Sequence, residues 1–517
     1  MKARAWITWL LSGALLAAAP ALAEEPAVNT SAVLIFHDSS GNLTLDPAEP
    51  QNGSSYSHET LMALYDTLIR FDFDGSLTPG LAETWSMNED LTELTLHLRR
   101  GVMFHDGTPL SADLVKRNFE RNTALGTRAG NTLGDTMRLT SAIEIIDDHT
   151  IKLKLRQPSG QIEYRLAYNS GMMMSPAGFA DGAFGATIKA IGAGPYQVKS
   201  FDSNVRTVMT RYDKYWGGIK GRPAGFEHHY TPDSRARFNA VRSGQATISL
   251  IEPRQIPEAK SNGLAVQIIE KSALWDIYIN VSRPGLNDVR VRRAIMHAID
   301  REALADAMGY GSAKATQQLW ASNSPYYIKE LDSRYPYDPA KARALLAEAG
   351  YKDRLEITQL LLNTTEYRQL SEALQGMLAE VGVTWKFEVV DVSQYIQFAR
   401  GTPRGDIMMG RSGGRGDAVE GLAQIAGTGG GVNPGGAASP KIDELLERAK
   451  RLSPRDPKRL ETMLELSREI SEQVSNFPII TRATVYAYKP GCVVDLKGLQ
   501  AAGDDRFNDV RIGAHCK

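Results

Sequence analysis

The residues best suited to bind a small charged molecule lie in one glycine-rich segment, residues 404–420, with the sequence RGDIMMGRSGGRGDAVE. Glycines let a ligand approach the backbone closely and expose N–H groups to anions. Arg411 and Arg415 add two planar guanidinium groups, which bind carboxylates and phosphates through paired hydrogen bonds. The segment is therefore a candidate anion site, unless both arginines point to solvent or pair with neighbouring acids. Those acids are Asp406, Asp417 and Glu420.

Residues 410–414 also match the pattern Gly-x-Ser-x-Gly, in which a serine nucleophile follows a strand. Ser412 would need a histidine base further along the chain, and His515, close to the C-terminus, is the one histidine there. The first 400 residues also lack the regular alternation of strands and helices that surrounds such a serine. A secreted serine hydrolase is therefore a remote alternative, and we expect no catalytic residue.

The paired histidines His228 and His229 are a weak candidate for a metal site. Adjacent side chains on an extended segment point to opposite faces, so two of them rarely share one ion. We expect one of them to be packed and the other solvated. His105 belongs to a turn, and the methionines at residues 172–174 favour an adaptable core over a thioether site. We therefore expect no metal.

The first 23 residues have the features of a secretory leader. Lys2 and Arg4 precede an apolar run over residues 7–19, and Ala21-Leu22-Ala23 is a small-residue cleavage site. The run is too short to span a membrane comfortably. No cysteine lies near the cleavage site, so a lipid anchor is not expected. The pattern predicts a Sec signal peptide cut after Ala23 and a soluble protein exported to the periplasm.

Composition narrows the function further. The chain has 517 residues with 59 basic and 60 acidic side chains, so it can form two or three domains and gives no case for binding nucleic acid. Its two cysteines, Cys492 and Cys516, lie close together near the C-terminus. In an oxidising compartment we expect a disulfide between them, with two unpaired buried thiols as the alternative.

The elements that must position these residues begin with a clear local pattern in residues 81–118. Leu94, Leu96 and Leu98 alternate with polar residues, which predicts a half-buried strand. Residues 105–109, HDGTP, favour a tight turn. Ser111 can then cap a helix with Asp113 in its first turn.

Further elements follow from the same rules. Residues 143–146 and 151–155 predict a hairpin. Asp288 can cap a helix over residues 289–308 that ends at Gly309. Residues 367–381 are an amphipathic helix, and residues 385–389 alternate as a strand.

Residues 81–118 resemble the signature of the family 5 solute-binding proteins of ABC importers, the peptide, nickel and opine type. That signature runs roughly P-x-L-A-x-x-W, an acidic pair, an alternating strand and R-x-G-V-x-F-H-D-G-x-P, and this chain matches it in order. The stretches GAGPYQV…RYDKYWGG from Gly192 and IYINVSRPGLNDVRVRRAIMHAIDREAL from Ile277 are similar to the same family.

The resemblance implies an α/β, bilobed periplasmic binding protein fold of the three-domain cluster C type. Two lobes joined by a hinge would then close on a ligand held in the cleft between them, as periplasmic binding proteins do. The expected division is domain I at residues 24–57, 191–271 and 484–517, domain II at residues 58–190 and domain III at residues 272–483.

This chain departs from the family where much of the ligand contact is made. The family pattern there is hydrophobic-x-G-W-x-x-D-x-x-D-P. Aligned on Gly410, Arg411 replaces the tryptophan, and Gly414 replaces the carboxylate that captures the α-ammonium group of a peptide. Asp417 remains, and Ala418 replaces the proline.

The departure favours a peptide-sized anionic ligand such as an opine, a sugar-phosphate or a peptide-like compound, with a plain di- or oligopeptide as the alternative. The resemblance also places Tyr56 and Trp275 near the ligand, although either could simply be packed. Expected partners are this ligand and the permease subunits in the inner membrane, with no cofactor, and we expect a monomer. The expected ligand contacts are Tyr56, Trp275, Arg411, Ser412, Gly413, Gly414, Arg415 and Asp417.

Overall fold

The computed structural model describes most of the chain from residue 27 onward, and the predicted signal peptide at residues 1–23 lies outside the described residues. The described residues are 27–49, 58–72, 75–125, 131–269, 273–322, 324–352, 355–391, 394–395, 405–413, 417–431, 433, 435–496, 499 and 507–516. Among the helices within these ranges, none has the length and apolarity that a bilayer span requires.

A seven-stranded mixed sheet is assembled from both ends of the chain, in the order β12-β18-β11-β1-β10-β9-β8. Its strands are β1 (Val33–Asp38), β8 (Tyr196–Asp202), β9 (Arg206–Arg211), β10 (Gly225–Tyr230), β11 (Ile248–Ile251), β12 (Ala265–Ile269) and β18 (Thr484–Tyr488). Three helices accompany it: α1 (His58–Leu64), α5 (Ser234–Ser243) and α6 (Ile256–Ser261).

Along the chain between β1 and β8, the protein forms a second sheet. It has four antiparallel strands in the order β4-β5-β7-β6. Leu94, Leu96 and Leu98 are at most 1% exposed, which confirms the predicted strand. Ser111 Oγ accepts a hydrogen bond from Leu114 N at 3.2 Å and caps the predicted helix. The predicted hairpin is also present. The elements here are β2 (Ile69–Phe71), β3 (Leu77–Pro79), β4 (Ala82–Met87), β5 (Glu93–Leu98), β6 (Thr140–Asp147), β7 (Thr150–Leu155), α2 (Ala112–Leu125), α3 (Asn131–Leu139) and α4 (Ile162–Leu166).

A separate five-stranded sheet, in the order β15-β14-β16-β13-β17, and its helices form most of the described residues between 273 and 481. Its strands are β13 (Ala273–Ile279), β14 (Leu355–Leu362), β15 (Val383–Val390), β16 (Ile407–Gly413) and β17 (Asn476–Thr481). Its helices are α7 (Val289–Ala298), α8 (Arg301–Gly309), α9 (Pro339–Glu348), α10 (Thr365–Ala379), α11 (Ala418–Ala426), α12 (Pro440–Lys450) and α13 (Pro457–Gln473).

The single helix predicted over residues 289–308 is wrong. The chain leaves the helical conformation at Ile299, whose ψ is 116°. Asp300 then accepts a hydrogen bond from Ala303 N at 3.0 Å and starts a second helix. A carboxylate that caps a new first turn stabilises the break, and the apolar periodicity alone did not reveal it.

Two adjacent chain segments join the halves of the molecule. We call the large and four-stranded sheets with their helices the first lobe (described residues 27–269 and 484–516), and the five-stranded sheet with its helices the second lobe (described residues 273–481). Ile269 pairs with Thr484 on one side of the crossing, and Leu274 pairs with Thr481 on the other. This arrangement confirms the predicted α/β, bilobed architecture.

The C-terminal end of the chain is fastened to the first lobe. Strands β19 (Val493–Asp495) and β20 (Arg511–Ile512) pair with each other, and a disulfide joins Cys492 to Cys516. Asn29 Nδ2 donates to the Cys516 carbonyl at 2.8 Å, so both ends of the described chain meet at this disulfide.

Candidate functional site

Strand direction places the candidate site next to the crossing between the lobes. In the second lobe β14, β15, β16 and β17 run the same way, because β13 is antiparallel to both β16 and β17. Their carboxyl ends therefore lie at the edge where β13 begins. In the first lobe β1, β10, β11 and β12 likewise end on the side of the crossing. Open α/β sheets bind ligands outside the carboxyl ends of their strands.

The end of the glycine-rich strand β16 lies at this edge. Arg411 is opposite Trp275 in the ladder, Ser412 is opposite Leu274, and Gly413 is opposite Ala273. The backbone of three expected ligand contacts is thus held at the first residues of β13. Tyr56, Gly414 and Arg415 lie outside the described residues, as do the side chains of residues 411–413.

Trp275 lies in the core of the second lobe. Its side chain is 5% exposed, and its ring meets that of Tyr367 edge to face with centroids 5.0 Å apart. Tyr367 in turn lies against Tyr395, whose hydroxyl donates to the Met409 carbonyl of β16. Trp275 therefore packs against α10, on the strand next to the one that carries the glycine-rich segment.

Gly410 is needed for packing against a tyrosine. A β-carbon at position 410 would lie 1.8 Å from Cε2 of Tyr278 on the neighbouring strand. Burial, together with the nearby Asp276 carboxylate, raises the pKa of Tyr278 well above its ordinary value. The ring of Tyr278 thus covers the backbone of β16 at this point.

Ser412 lies within β16 and not at a turn between a strand and a helix. The sharp turn that exposes a nucleophilic serine is therefore missing at this residue. His515 is exposed on the C-terminal segment of the first lobe. The arrangement gives no support to the serine hydrolase alternative.

Asp417 is a buried residue at the start of α11. Its Oδ1 accepts a hydrogen bond from Val419 N at 3.3 Å, and the carboxylate forms an ion pair with Arg459 in which both side chains are 2% exposed. Asp417 therefore both caps the helix that follows the glycine-rich segment and neutralises a buried guanidinium group.

Three acids lie near Arg411 and Arg415 in the sequence. Each of them contacts an arginine outside the glycine-rich segment. Asp406 Oδ1 is 2.7 Å from Arg283 Nε, and Glu420 Oε1 is 3.0 Å from Arg165 Nη2. With Asp417 bound to Arg459, all three acids have cationic partners elsewhere in the fold.

The histidines at the end of β10 are on opposite faces of the first-lobe sheet. His228 is 2% exposed and its Nδ1 is 2.9 Å from Thr60 Oγ1. His229 bonds Glu227 at 2.9 Å and stacks on His37. Within the described ranges, no cluster of three or more His, Cys, Asp or Glu side chains is arranged to hold a metal ion.

A small cavity of about 20 Å³ lies in the second lobe, with Gln318, Trp320 and Asn476 in its lining. Asn476 is the first residue of β17, at the end of the strand away from the crossing. The cavity is therefore separate from the edge that carries the glycine-rich segment.

The contacts between the lobes have no signal in the sequence. Gly160 of the first lobe and Arg459 of the second are 299 residues apart in sequence and joined by a hydrogen bond. Gly160 follows Pro158 and Ser159, which indicates only a turn. No local pattern signals that a turn will meet a helix of the other lobe.

Comparison with known proteins gives the same class. Residues 76–433 match the bacterial extracellular solute-binding proteins, family 5 Middle. A dipeptide-binding protein of Escherichia coli (strain K12) is 27% identical over 396 residues, which cover 71% of this chain and 73% of that protein. The glutathione-binding protein GsiB of Pectobacterium atrosepticum is 26% identical over 354 residues, 68% of each chain.

Solved structures share the fold. NikA from Brucella suis in complex with Fe(III)-EDTA gives a TM-score of 0.81 at 22% identity, over 92% of this chain and 99% of that chain. AgaA from A. tumefaciens R10 in complex with agropinic acid gives 0.75 at 23% identity, over 93% and 99%. The sequence match, the two lobes and the edge at their crossing agree, and the chain therefore belongs to the family 5 extracellular solute-binding proteins, the periplasmic binding components of ABC importers.

Proposed function

We propose that this binding protein captures a peptide-sized anionic compound and delivers it to an inner-membrane permease. The observation that carries the proposal is the position of Arg411 at the end of β16, opposite the first residues of β13 and beside the crossing. Arg415 lies four residues further along the sequence. Arginine side chains and glycine N–H groups, which this segment of the sequence supplies together, match the chemistry of carboxylates and phosphates.

The engagement of the nearby acids supports the same ligand class. Asp406, Asp417 and Glu420 contact Arg283, Arg459 and Arg165 respectively. Their charges are thus directed toward other cations. We propose that Arg411, Ser412, Gly413, Gly414, Arg415 and Tyr56 contact the ligand, with Trp275 and Asp417 supporting them from the core.

The relatives support an anion as well. One of them is named for glutathione, a tripeptide with a net negative charge near neutral pH, and a solved neighbour holds agropinic acid. We also propose that residues 1–23 direct export and are removed by cleavage after Ala23, and that the mature protein is a monomer. Its three domains would meet between residues 57 and 58, 190 and 191, 271 and 272, and 483 and 484.

A thermal-shift screen of residues 24–517 tests the ligand class. The compounds are S-methylglutathione, whose blocked sulfur cannot reduce the disulfide, opines, phosphorylated sugars and dipeptides without acidic side chains, because any ligand of the native state raises the melting temperature. We expect the anionic compounds to raise it. Replacing Arg411 or Arg415 with glutamine should then weaken binding about tenfold or more, the loss expected for a hydrogen bond to a charged group.

Arg468→Gln is the matched control, since Arg468 is an exposed second-lobe arginine whose acidic partner is Glu330 and not an acid of the glycine-rich segment. Tight binding of free-amine dipeptides, with no response to any anionic compound, would overturn the anion proposal. That outcome would support a plain di- or oligopeptide-binding protein, which the Escherichia coli dipeptide-binding relative favours.

A further inference from the structure

The lobes touch at a point away from the crossing, where a turn of the first lobe meets the connection between α12 and α13. Gly160 N donates to the Lys450 carbonyl at 3.2 Å. Arg459 Nη1 donates to the Gly160 carbonyl at 3.3 Å and to the Leu452 carbonyl at 3.1 Å. Backbone groups of the two lobes are therefore bonded directly, with one guanidinium group bridging them.

Gly160 lies so close to the second lobe that no side chain fits there. A β-carbon at residue 160 would be 2.2 Å from the Leu452 carbonyl oxygen. The φ angle of Gly160 is not in the left-handed region, so its own backbone conformation is open to alanine. Glycine is thus required by the neighbouring lobe and only while the lobes are together.

Arg459 connects this contact to the start of α11. Its side chain is 2% exposed and pairs with the Asp417 carboxylate. Asp417 caps α11 just after β16, and on the same helix Glu420 pairs with Arg165 of the first lobe at 3.0 Å. Two links therefore run from the helix that follows the glycine-rich strand to the first lobe.

Two cation–π contacts also join the lobes. Cζ of Arg459 lies 5.8 Å from the ring of Tyr164, and Cζ of Arg455 lies 5.5 Å from the ring of Trp85. Both tyrosine and tryptophan belong to the first lobe and both arginines to the second. Cation–π contacts of this kind add attraction between the lobes.

We propose that Gly160 and Arg459 are positioning residues that hold the two lobes in the closed arrangement. The contact acts on the equilibrium between open and closed forms and does not touch the ligand. It rests on the proposed function, in which the lobes close around a captured molecule. A contact made only in the closed form shifts that equilibrium toward closure and raises affinity from a distance.

Interlobe distances measured by pulsed electron spin resonance test the contact in the full mature chain. Spin labels at Glu120→Cys in the first lobe and Glu330→Cys in the second are suitable, because these side chains are 57% and 68% exposed. Both native cysteines are joined in a disulfide and do not compete for the label. Distances are recorded in buffer and with saturating S-methylglutathione, whose blocked sulfur cannot reduce the native disulfide or a disulfide-linked label.

In the chain that carries only the two labels, we expect a population of molecules with the short interlobe distance of the closed form. Gly160→Ala should lower the ratio of short to long distances by about tenfold, the usual size of an overpacking penalty. The melting temperature without added compound should stay unchanged, because alanine is tolerated when the lobes are apart. Gly376→Ala is the matched control, since a β-carbon there meets nothing within 4 Å.

A double-mutant cycle with Arg165→Gln and Glu420→Gln gives an independent measurement, in case Gly160→Ala does not fold. The two substitutions should lower the closed fraction non-additively. A Gly160→Ala protein with the distances of the unmodified chain would overturn the proposal, as would the absence of any short-distance population. A protein that closes but binds no compound in the thermal-shift screen would instead refute the proposed function and leave this contact standing.

Discussion

The ring of Tyr278 occupies the space that a side chain at position 410 would need, with Cε2 1.8 Å from the place of a β-carbon on Gly410. Gly410 is paired with Asp276, two residues before Tyr278 in the antiparallel ladder. The glycine therefore leaves room for the Tyr278 ring to lie over the backbone of β16.

Gly410→Ala is expected to destabilise the second lobe. The added methyl group must displace a buried ring or a strand, which costs about 1–3 kcal/mol of unfolding free energy. Urea unfolding measures the loss. Gly376→Ala, on the exposed side of α10, should leave the midpoint unchanged or slightly higher. Equal midpoints for the two variants would contradict this account of Gly410.

Trp216→Ala is expected to loosen the junction between the two sheets of the first lobe. The ring of Trp216 has the guanidinium groups of Arg70 and Arg99 at 4.8 and 4.6 Å from its centroid, and its Nε1 donates to Asp66 at 2.6 Å. Because the ring is only partly buried, we expect a loss of about 2 kcal/mol, less than for a core tryptophan. Calorimetric unfolding measures it, and Trp216→Phe, which keeps a ring between the cations, should recover part of the loss. No difference between the alanine and phenylalanine variants would count against the cation–π contribution.

Acidification is expected to destabilise the protein through His37. Burial, followed by the nearby His229, His228 and Arg237, lowers the pKa of His37 from 6.5 to about 4. Its ring bonds Thr231 and stacks on His229, which is held by Glu227. Between pH 6.5 and 4 the unfolded chain binds a proton that the folded chain does not, so this stabilisation is complete above pH 6.5 and is lost as the pH falls toward 4.

Urea unfolding at pH 7.5, 6 and 5 tests this pH dependence. Burial also lowers the pKa values of His105 and His297, so the unmodified protein has more than one contribution. The difference between the unmodified protein and His37→Asn isolates the contribution of His37. The asparagine variant should lose less stability on acidification, and parallel pH curves for the two proteins would refute the assignment.

Replacing Cys492 and Cys516 with serine is expected to lower the free energy of unfolding by about 3 kcal/mol. The disulfide closes a loop and so reduces the conformational entropy of the unfolded chain, and the serine variant loses this effect. The two residues are 24 positions apart in sequence. Urea unfolding with and without reductant measures the loss. In the double-serine variant the reductant should have no further effect. A stability that does not respond to reduction in the unmodified protein would contradict the prediction.

Residues close in sequence were predictable because their interactions are local. The alternating leucines at 94, 96 and 98 and the cap at Ser111 depend on neighbours a few positions away, and the structure has them as expected. The break between α7 and α8 was missed because apolar periodicity continues through Asp300, and only the backbone shows that this carboxylate starts a new helix.

The sequence by itself determined the family, the two-lobed architecture and the departure from the family pattern at Arg411 and Gly414. Those features depend on residue types in order along the chain. Only the tertiary structure decided that Trp275 is packed in a core, that Asp417 pairs with Arg459, and that Gly160 meets the other lobe. These contacts join residues up to 299 positions apart, and their existence depends on how the sheets and lobes are placed in space, which no local pattern encodes.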